Sequence, residues 1–161
     1  MPDSPAFLAG RLQSEGEKTV AYFQALSPGS WDHQIYTDGS CWSVLEILTH
    51  FVATEQAFVV LIDDIISGGE GAPEGFDIDG YNEKEVARRE GLSASALIDQ
   101  FSTLRQQTCE QVSGLSETDL AKIGRHPFLG VAPLADIIKL IYRHNQIHLR
   151  DIRRIVPAGE N

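Results

Sequence analysis

Four segments of this 161-residue chain place apolar residues at intervals of three and four, which is the period of one face of an α-helix. They span residues 4–26, 43–66, 93–115 and 133–156. Turn-forming residues at 27–29 and 67–69 end the first two segments. No alternating strand pattern lies between the four. The sequence therefore predicts an all-α protein, a four-helix bundle formed as a single domain over residues 1–161.

The ends of the predicted helices carry their own signals. Ser43, followed three residues later by Glu46, predicts a capping box at the start of the second helix. Pro133 suits the first turn of the fourth helix, which Pro157 and Gly159 are expected to end. The connections after the second and third helices are long and include a predicted short helix over 81–90 and a short turn over 117–122. Simple up-down alternation of the four helices is therefore not required.

The charge balance is strongly acidic, with 23 Asp and Glu against 13 Lys and Arg and a formal net charge of −10. Such a surface repels phosphate backbones and anionic headgroups, so nucleic-acid and membrane partners are disfavoured. The most apolar stretch, 51–66, is interrupted by acidic residues, which makes it too polar for a membrane span. Without a signal-peptide pattern at the N-terminus, a cytoplasmic protein is expected, with Cys41 and Cys109 as free thiols.

Two of the five histidines, His144 and His148, are four residues apart on the fourth helix and therefore project from one face. Two imidazoles so placed can bind one metal ion together. Taken alone, the spacing also fits two unrelated surface or capping histidines. Position 145 is Asn, so the H-E-x-x-H motif of zinc peptidases and its general base are absent.

A third histidine lies at a matching depth in the bundle. His50 is about seven residues inside the second helix, and His148 is about eight residues from the end of the fourth. If these helices are antiparallel neighbours, the three histidines reach one level, roughly 10–18 Å from an end of the bundle. Three imidazoles leave coordination positions open, as in catalytic metal sites. His33 and His126 are predicted to lie outside this site.

Other candidate residues are less specific. Asp151 shares a helix face with His148 and could accept a hydrogen bond from an imidazole, although an ion pair with a neighbouring arginine is an equal alternative. Arg143 and Arg150 flank the site as possible substrate-binding residues or as solvated surface residues. No nucleophile with an activating neighbour is evident, so no catalytic residue is assigned.

Three blocks of sequence resemble the DinB-like (DinB/YfiT) superfamily. Residues 42–50 resemble its second-helix signature, and 126–130 with 144–152 resemble its fourth-helix signature. The segment 79–93 is similar to the mycothiol-dependent maleylpyruvate isomerase branch. The resemblance implies a bundle of up-down-down-up topology, often dimeric, with a divalent metal ion, zinc or nickel, held by the positions that match His50, His144 and His148.

The resemblance also implies a type of reaction. Characterised relatives use low-molecular-weight thiols such as mycothiol or bacillithiol, so the expected function is a metal-assisted, thiol-dependent S-transferase or isomerase acting on a small-molecule substrate. In the isomerase branch the position matching His144 is commonly Glu, whereas His is typical of the wider group. A metal-dependent hydrolase and a non-enzymatic metal- or ligand-binding stress-related protein are the alternatives. A homodimer is expected from the broad apolar surface of the second helix.

Overall fold

The structure, a computed structural model, describes residues 3–156 and confirms the predicted four-helix bundle. Its four long helices are α1 (Pro5–Gln24), α2 (Val44–Ile66), α4 (Ala94–Ser113) and α6 (Leu134–Ile155). The shorter elements are α3 (Ile78–Arg88), α5 (Glu117–Leu120), β1 (Ile123–His126) and β2 (Gly130–Pro133). The expectation that Pro157 and Gly159 end the last helix falls outside the described residues.

Two apolar clusters, one at each end of the bundle, define the helix directions. One cluster joins the end of α1 and of α6 to the start of α2 and of α4, through Phe23, Ile152, Val44 and Leu97. The other joins the opposite ends, through Leu8, Ile138, Ile62 and Val112. Thus α1 and α6 run in one direction while α2 and α4 run in the other. In chain order this is the up-down-down-up topology that the resemblance implied.

Hydrogen bonds at the helix starts explain most of the boundaries. The Ser43 hydroxyl accepts a hydrogen bond from the Glu46 amide at 3.3 Å, and the Glu46 carboxylate accepts one from the Ser43 amide at 3.2 Å. The predicted capping box is therefore present. Pro133 is the N-cap of α6 and lies one residue before its first turn. Helix α3 begins earlier than predicted because Asp77 caps it, accepting a hydrogen bond from the Gly80 amide.

A β-hairpin replaces part of the predicted loop before α6, so the expectation of no strands is wrong at this point. β1 and β2 pair antiparallel, with His126 opposite Gly130. Each strand has only four residues, which is too short for a recognisable alternation. The Arg125 amide donates to the Glu70 carbonyl and the Arg125 carbonyl accepts from the Ala72 amide, each at 2.8 Å. These bonds attach the hairpin to the loop after α2.

Helix α2 is the central helix of the bundle. By length and composition alone it could cross a membrane, contrary to the expectation from its acidic residues, but 56% of its most apolar window is buried inside the protein. It packs against α3, α4 and α6 and contributes twelve buried residues. Most of its apolar surface is therefore covered within the chain, although Val60 is 66% exposed, and the homodimer stays a prediction.

One buried charged group contacts all four long helices. Arg105 of α4 donates two hydrogen bonds to the Glu55 carboxylate of α2, at 2.7 and 3.0 Å. It also donates to the Leu12 carbonyl of α1 at 3.0 Å and to the Asn145 side-chain oxygen of α6 at 2.6 Å. Gly16 leaves space for this arginine, since a Cβ there would lie 2.7 Å from Arg105 Cγ. We call these contacts the Arg105 network.

We predict that Glu55→Gln lowers the free energy of unfolding by about 3 kcal/mol, because it leaves the Arg105 charge buried without its partner. Glu55 is 1% exposed and Arg105 is 4% exposed, so water cannot replace the lost carboxylate. Urea unfolding followed by circular dichroism measures the change. Asp136→Asn, at an exposed ion pair with Lys139, is the control and should change the value by less than about 0.5 kcal/mol. Equal effects of the two substitutions would contradict a structural role for the network.

Gly71 provides a second test, at the attachment of the hairpin. Its φ is +86°, and a Cβ there would lie 2.5 Å from the Arg125 carbonyl oxygen. Gly75 also has a positive φ, +72°, but no atom lies within 4 Å of its Cβ position. We expect Gly75→Ala to cost about 1–2 kcal/mol of unfolding free energy for backbone strain alone. Gly71→Ala should cost about 2 kcal/mol more because the hairpin must move. Equal unfolding midpoints would disprove the attachment.

Candidate metal centre

Three histidine side chains meet between α2 and α6. His50 Nε2 lies 2.9 Å from His144 Nε2, and His148 Nε2 lies 3.0 Å from the same atom. Within the described part of the chain, these three form the one group of potential ligands that could hold a metal ion, with all ligand atoms within 4.8 Å of one another. The structure therefore brings together the three histidines predicted from the sequence. Antiparallel packing of α2 and α6 places them at one level.

The hydrogen bond on the outer side of His50 determines which nitrogen carries its proton. The Thr54 hydroxyl donates its only proton to the His50 backbone carbonyl at 2.7 Å. The same oxygen lies 3.3 Å from His50 Nδ1 and can then only accept a hydrogen bond from it. The proton of neutral His50 is therefore on Nδ1. Its Nε2 presents a lone pair to the other two histidines.

His148 is oriented in the same way by Tyr36, a residue that the sequence analysis missed. The Tyr36 hydroxyl donates to the Asp151 carboxylate at 2.6 Å and lies 2.7 Å from His148 Nδ1. Burial, and secondarily the Asp151 carboxylate, raise the pKa of the Tyr36 phenol, so the hydroxyl keeps its proton. It must accept its second hydrogen bond from His148 Nδ1–H. The Nε2 atom of His148 therefore also carries a lone pair, which can bind a metal ion.

Asp151 therefore acts on the histidine through a tyrosine. The described residues show no direct hydrogen bond from an imidazole to Asp151, because Tyr36 lies between them, and the role of Asp151 at the site stays a prediction. The alternative interpretation also has support, since Arg154 and Arg150 approach Asp151 at 3.8 and 4.0 Å. Tyr36 lies in the irregular segment between α1 and α2. No helical spacing relates it to α6, so no pattern in the sequence could have identified it.

All three imidazoles are neutral at pH 7. Burial lowers the pKa of His50 to about 3 and of His148 to about 4, and it holds the pKa of His144 well below its ordinary value. His144 Nδ1 is buried and has no hydrogen-bond partner among the described residues. Its Nε2 faces the lone pairs of both neighbours. Three neutral nitrogen donors that converge in this way fit a divalent transition-metal ion such as zinc or nickel.

Aromatic rings surround the three histidines. The Trp42 ring is 8% exposed and lies over His50, with 4.6 Å between ring centroids. Phe51 lies 5.8 Å from His144 and 5.7 Å from His148. An apolar shell of this kind restricts water and strengthens electrostatic interactions at a bound ion. Trp42 thus both packs in the core and forms a wall of the site.

The remaining candidates lie outside the cluster. Arg143 and Arg150 are exposed on α6, and their role in substrate binding stays a prediction. His33 contacts the Ser30 carbonyl, and His126 accepts hydrogen bonds from the hairpin turn; neither belongs to the group of three histidines. Cys41 is exposed in the segment before α2.

The sequence model of the DinB superfamily matches residues 11–152. The chain belongs to the DinB superfamily. This confirms the resemblance drawn from the three sequence blocks. No curated protein matches the chain.

Solved structures with this fold are named for several activities. YfiT from Bacillus subtilis, described as a probable metal-dependent hydrolase with an unusual four-helix bundle topology, has a TM-score of 0.70 at 13% identity, over 94% of this chain and 83% of that chain. The mycothiol-dependent maleylpyruvate isomerase has a TM-score of 0.68 at 15% identity, over 92% of this chain. The match covers 59% of the isomerase chain. At such identities the likeness shows the fold alone.

A third neighbour corrects the prediction about partners. The colibactin self-resistance protein ClbS, solved in complex with double-stranded DNA, has a TM-score of 0.75 at 13% identity and covers 98% of both chains. A DinB-like protein can therefore bind DNA, and the exclusion of nucleic-acid partners from net charge was wrong. The physical reason is that a total charge sums over the whole surface, whereas DNA contacts depend on local groups of cations and hydrogen-bond donors.

We predict that Tyr36→Phe weakens zinc binding by about 10- to 100-fold, because His148 Nδ1–H loses the acceptor that orients the ring. Competition with a chromogenic chelator measures the affinity. The matched control is Tyr22→Phe, at a half-buried tyrosine that packs under Arg153 away from the site. It should leave the affinity unchanged. Zinc affinity that is equal in Tyr36→Phe and wild type would show that the tyrosine does not orient the ligand.

Proposed function

We propose that the chain binds one divalent metal ion, zinc or nickel, through His50, His144 and His148, and acts as a thiol-dependent S-transferase or isomerase. The observation that carries the proposal is the convergence of the three Nε2 atoms, with outer hydrogen bonds that place the protons of His50 and His148 on Nδ1. A metal ion at such a site supplies Lewis acidity and lowers the pKa of a bound thiol.

The residues around the site favour thiol chemistry over hydrolysis. Hydrolysis needs a general base close to the activated water. Three carboxylates within five residues of a histidine ligand are engaged: Asp151 accepts from Tyr36, Glu55 accepts from Arg105, and Glu46 caps α2. A thiol that binds as a thiolate brings its own nucleophile and needs no such base. Mycothiol or bacillithiol is the proposed co-substrate, and a cytoplasmic location is part of the same proposal.

The chain's own residues have three tasks in this account. Thr54 and Tyr36 orient two of the ligands through their Nδ1 atoms. Trp42 and Phe51 limit the access of water to the imidazoles. Asn145 occupies the position where zinc peptidases carry their glutamate, and here it accepts a hydrogen bond from Arg105. The second candidate, a metal-dependent hydrolase, is supported by the description of the neighbour YfiT.

The first part of the test is metal content. We expect purified protein loaded with zinc or nickel and then dialysed to retain about one ion per chain, as one open three-ligand site requires. His50→Ala and His144→Ala should lose the ion, whereas the control His33→Ala, outside the cluster, should keep it. Retention of the ion by His144→Ala would contradict the assigned ligands.

The second part separates the activities. We expect conjugation of a generic electrophile, 1-chloro-2,4-dinitrobenzene, with bacillithiol or mycothiol to require the metal-loaded protein and to disappear in His144→Ala. Turnover of p-nitrophenyl esters without thiol would instead support the hydrolase. A loaded protein that performs neither reaction would contradict both enzymatic proposals and favour a metal-binding function without catalysis.

A further inference from the structure

A cavity of about 550 Å³ lies beside the metal site, between α2, α3 and the β-hairpin. This volume is typical of sites for organic ligands, which run from about 300 to 1,000 Å³. None of the three clustered histidines lines it. Its walls are mainly apolar and come from Ala53, Ala57, Phe58, Leu61, Phe76 and Ile78. We call it the His126 cavity, after the residue that closes one side.

The neutral ring of His126, which lines the cavity, has one hydrogen-bond donor. Its Nδ1 accepts hydrogen bonds from the amides of Phe128 and Leu129, at 3.0 and 3.2 Å, so this nitrogen carries the lone pair. Burial lowers the pKa of His126 to about 4, and the neutral ring must then carry its proton on Nε2. No described residue accepts a hydrogen bond from that Nε2–H. A ligand with an acceptor oxygen would satisfy it.

The shape of the cavity walls is set by aromatic rings. The His126 ring stacks on Phe58, with 5.3 Å between centroids and 13° between planes. Phe76 and Tyr81, whose centroids are 5.4 Å apart, also line the cavity. Flat rings of this kind favour planar ligands, which pack against them with little loss of conformational freedom.

Of the charged residues that line the cavity, Glu85 is paired within the protein, whereas Arg88 and Asp64 are exposed to water. The Glu85 carboxylate lies 2.6 Å from Arg89 and 3.6 Å from Arg88, and Asp64 accepts a hydrogen bond from the Gly71 amide. An ionic ligand would therefore find no buried, unpaired counter-charge here. A neutral ligand fits this arrangement and avoids the cost of burying an unpaired charge.

We propose that the His126 cavity binds a neutral, planar aromatic molecule that carries a carbonyl group, which accepts a hydrogen bond from His126 Nε2–H. This site is separate from the metal ligands, although Thr54 contacts both, since it lines the cavity and its hydroxyl lies 3.3 Å from His50 Nδ1. The inference does not rest on the proposed function, because binding in the cavity requires no metal ion.

The probe for the test is prodan, a neutral planar naphthyl ketone whose emission shifts to the blue in an apolar site. We expect saturable binding by the full chain both with zinc and with a chelator. Ala57→Phe should fill the cavity and weaken binding at least about tenfold. The control, Ala87→Phe, makes the same change at an exposed position that lines the groove beside Cys41, and should leave binding unchanged. Equal binding by the two variants would overturn the proposed location.

Two substitutions at His126 test the donor itself. Gln places an amide donor near the position of Nε2, whereas Asn places an acceptor near Nδ1 and keeps the hydrogen bonds to the turn. If His126 binds the carbonyl group, His126→Gln should retain most of the affinity and His126→Asn should lose about tenfold. The reverse order would overturn the proposal. His144→Ala should bind prodan as wild type does, so a failed metal proposal would be distinguishable from a failed cavity proposal.

Discussion

The buried contact between Arg105 and Glu55 is the interaction on which the geometry of the bundle most depends. One guanidinium group bonds to α1, α2 and α6 from its position on α4. A core made only of aliphatic side chains tolerates sliding and rotation of helices, because many arrangements bury similar areas. Directed hydrogen bonds to a buried charge have one satisfactory arrangement. Asn145 must face inward to reach Arg105, and this fixes the rotation of α6 beside His144.

The same constraint aligns the ligands along the bundle axis. Glu55 lies five residues after His50 on α2, and Asn145 follows His144 on α6. When Arg105 bonds to both Glu55 and Asn145, it holds the two helices at one relative height. The Nε2 atoms then meet at 2.9 and 3.0 Å. Outside this centre, Thr54 and the Tyr36–Asp151 pair hold the protons on the outer nitrogens of His50 and His148. Two features therefore specify the site. The Arg105 network sets the relative position of the helices, and hydrogen bonds to the outer Nδ1 atoms orient the imidazoles.

Much of this arrangement was predictable, because regular helices convert sequence spacing into position. The four long helices follow from the period of 3.6 residues, the capping box follows from Ser43 and Glu46, and the matching depths of the three histidines follow from the rise per residue. Tyr36 was not predictable, since it lies in an irregular segment whose path depends on tertiary packing. The β-hairpin was missed because four-residue strands show no clear alternation.

The charged core was missed for a different reason. Glu55 interrupts an apolar run, and Arg105 lies in a helix with many polar residues, so each one alone reads as a surface residue. Only the fold shows that the two meet in the interior, where each satisfies the other. The total charge misled in a similar way, because it contains no information about where the charges lie. Neither the local sequence around Glu55 and Arg105 nor the total charge contains the positions of these charges in the folded protein.

The central claim is that three neutral imidazoles bring their Nε2 atoms to one point, with the protons of His50 and His148 held on Nδ1. Long-range ¹H–¹⁵N correlation spectra of the histidine rings report the protonated nitrogen of each ring directly. In metal-free protein at neutral pH, we expect His50 and His148 to carry their protons on Nδ1. One equivalent of zinc should then shift the Nε2 resonances of His50, His144 and His148 together, and leave those of His33 and His126 unchanged. An Nε2–H proton on His50 or His148, or a zinc-induced shift that omits one of the three, would contradict the account.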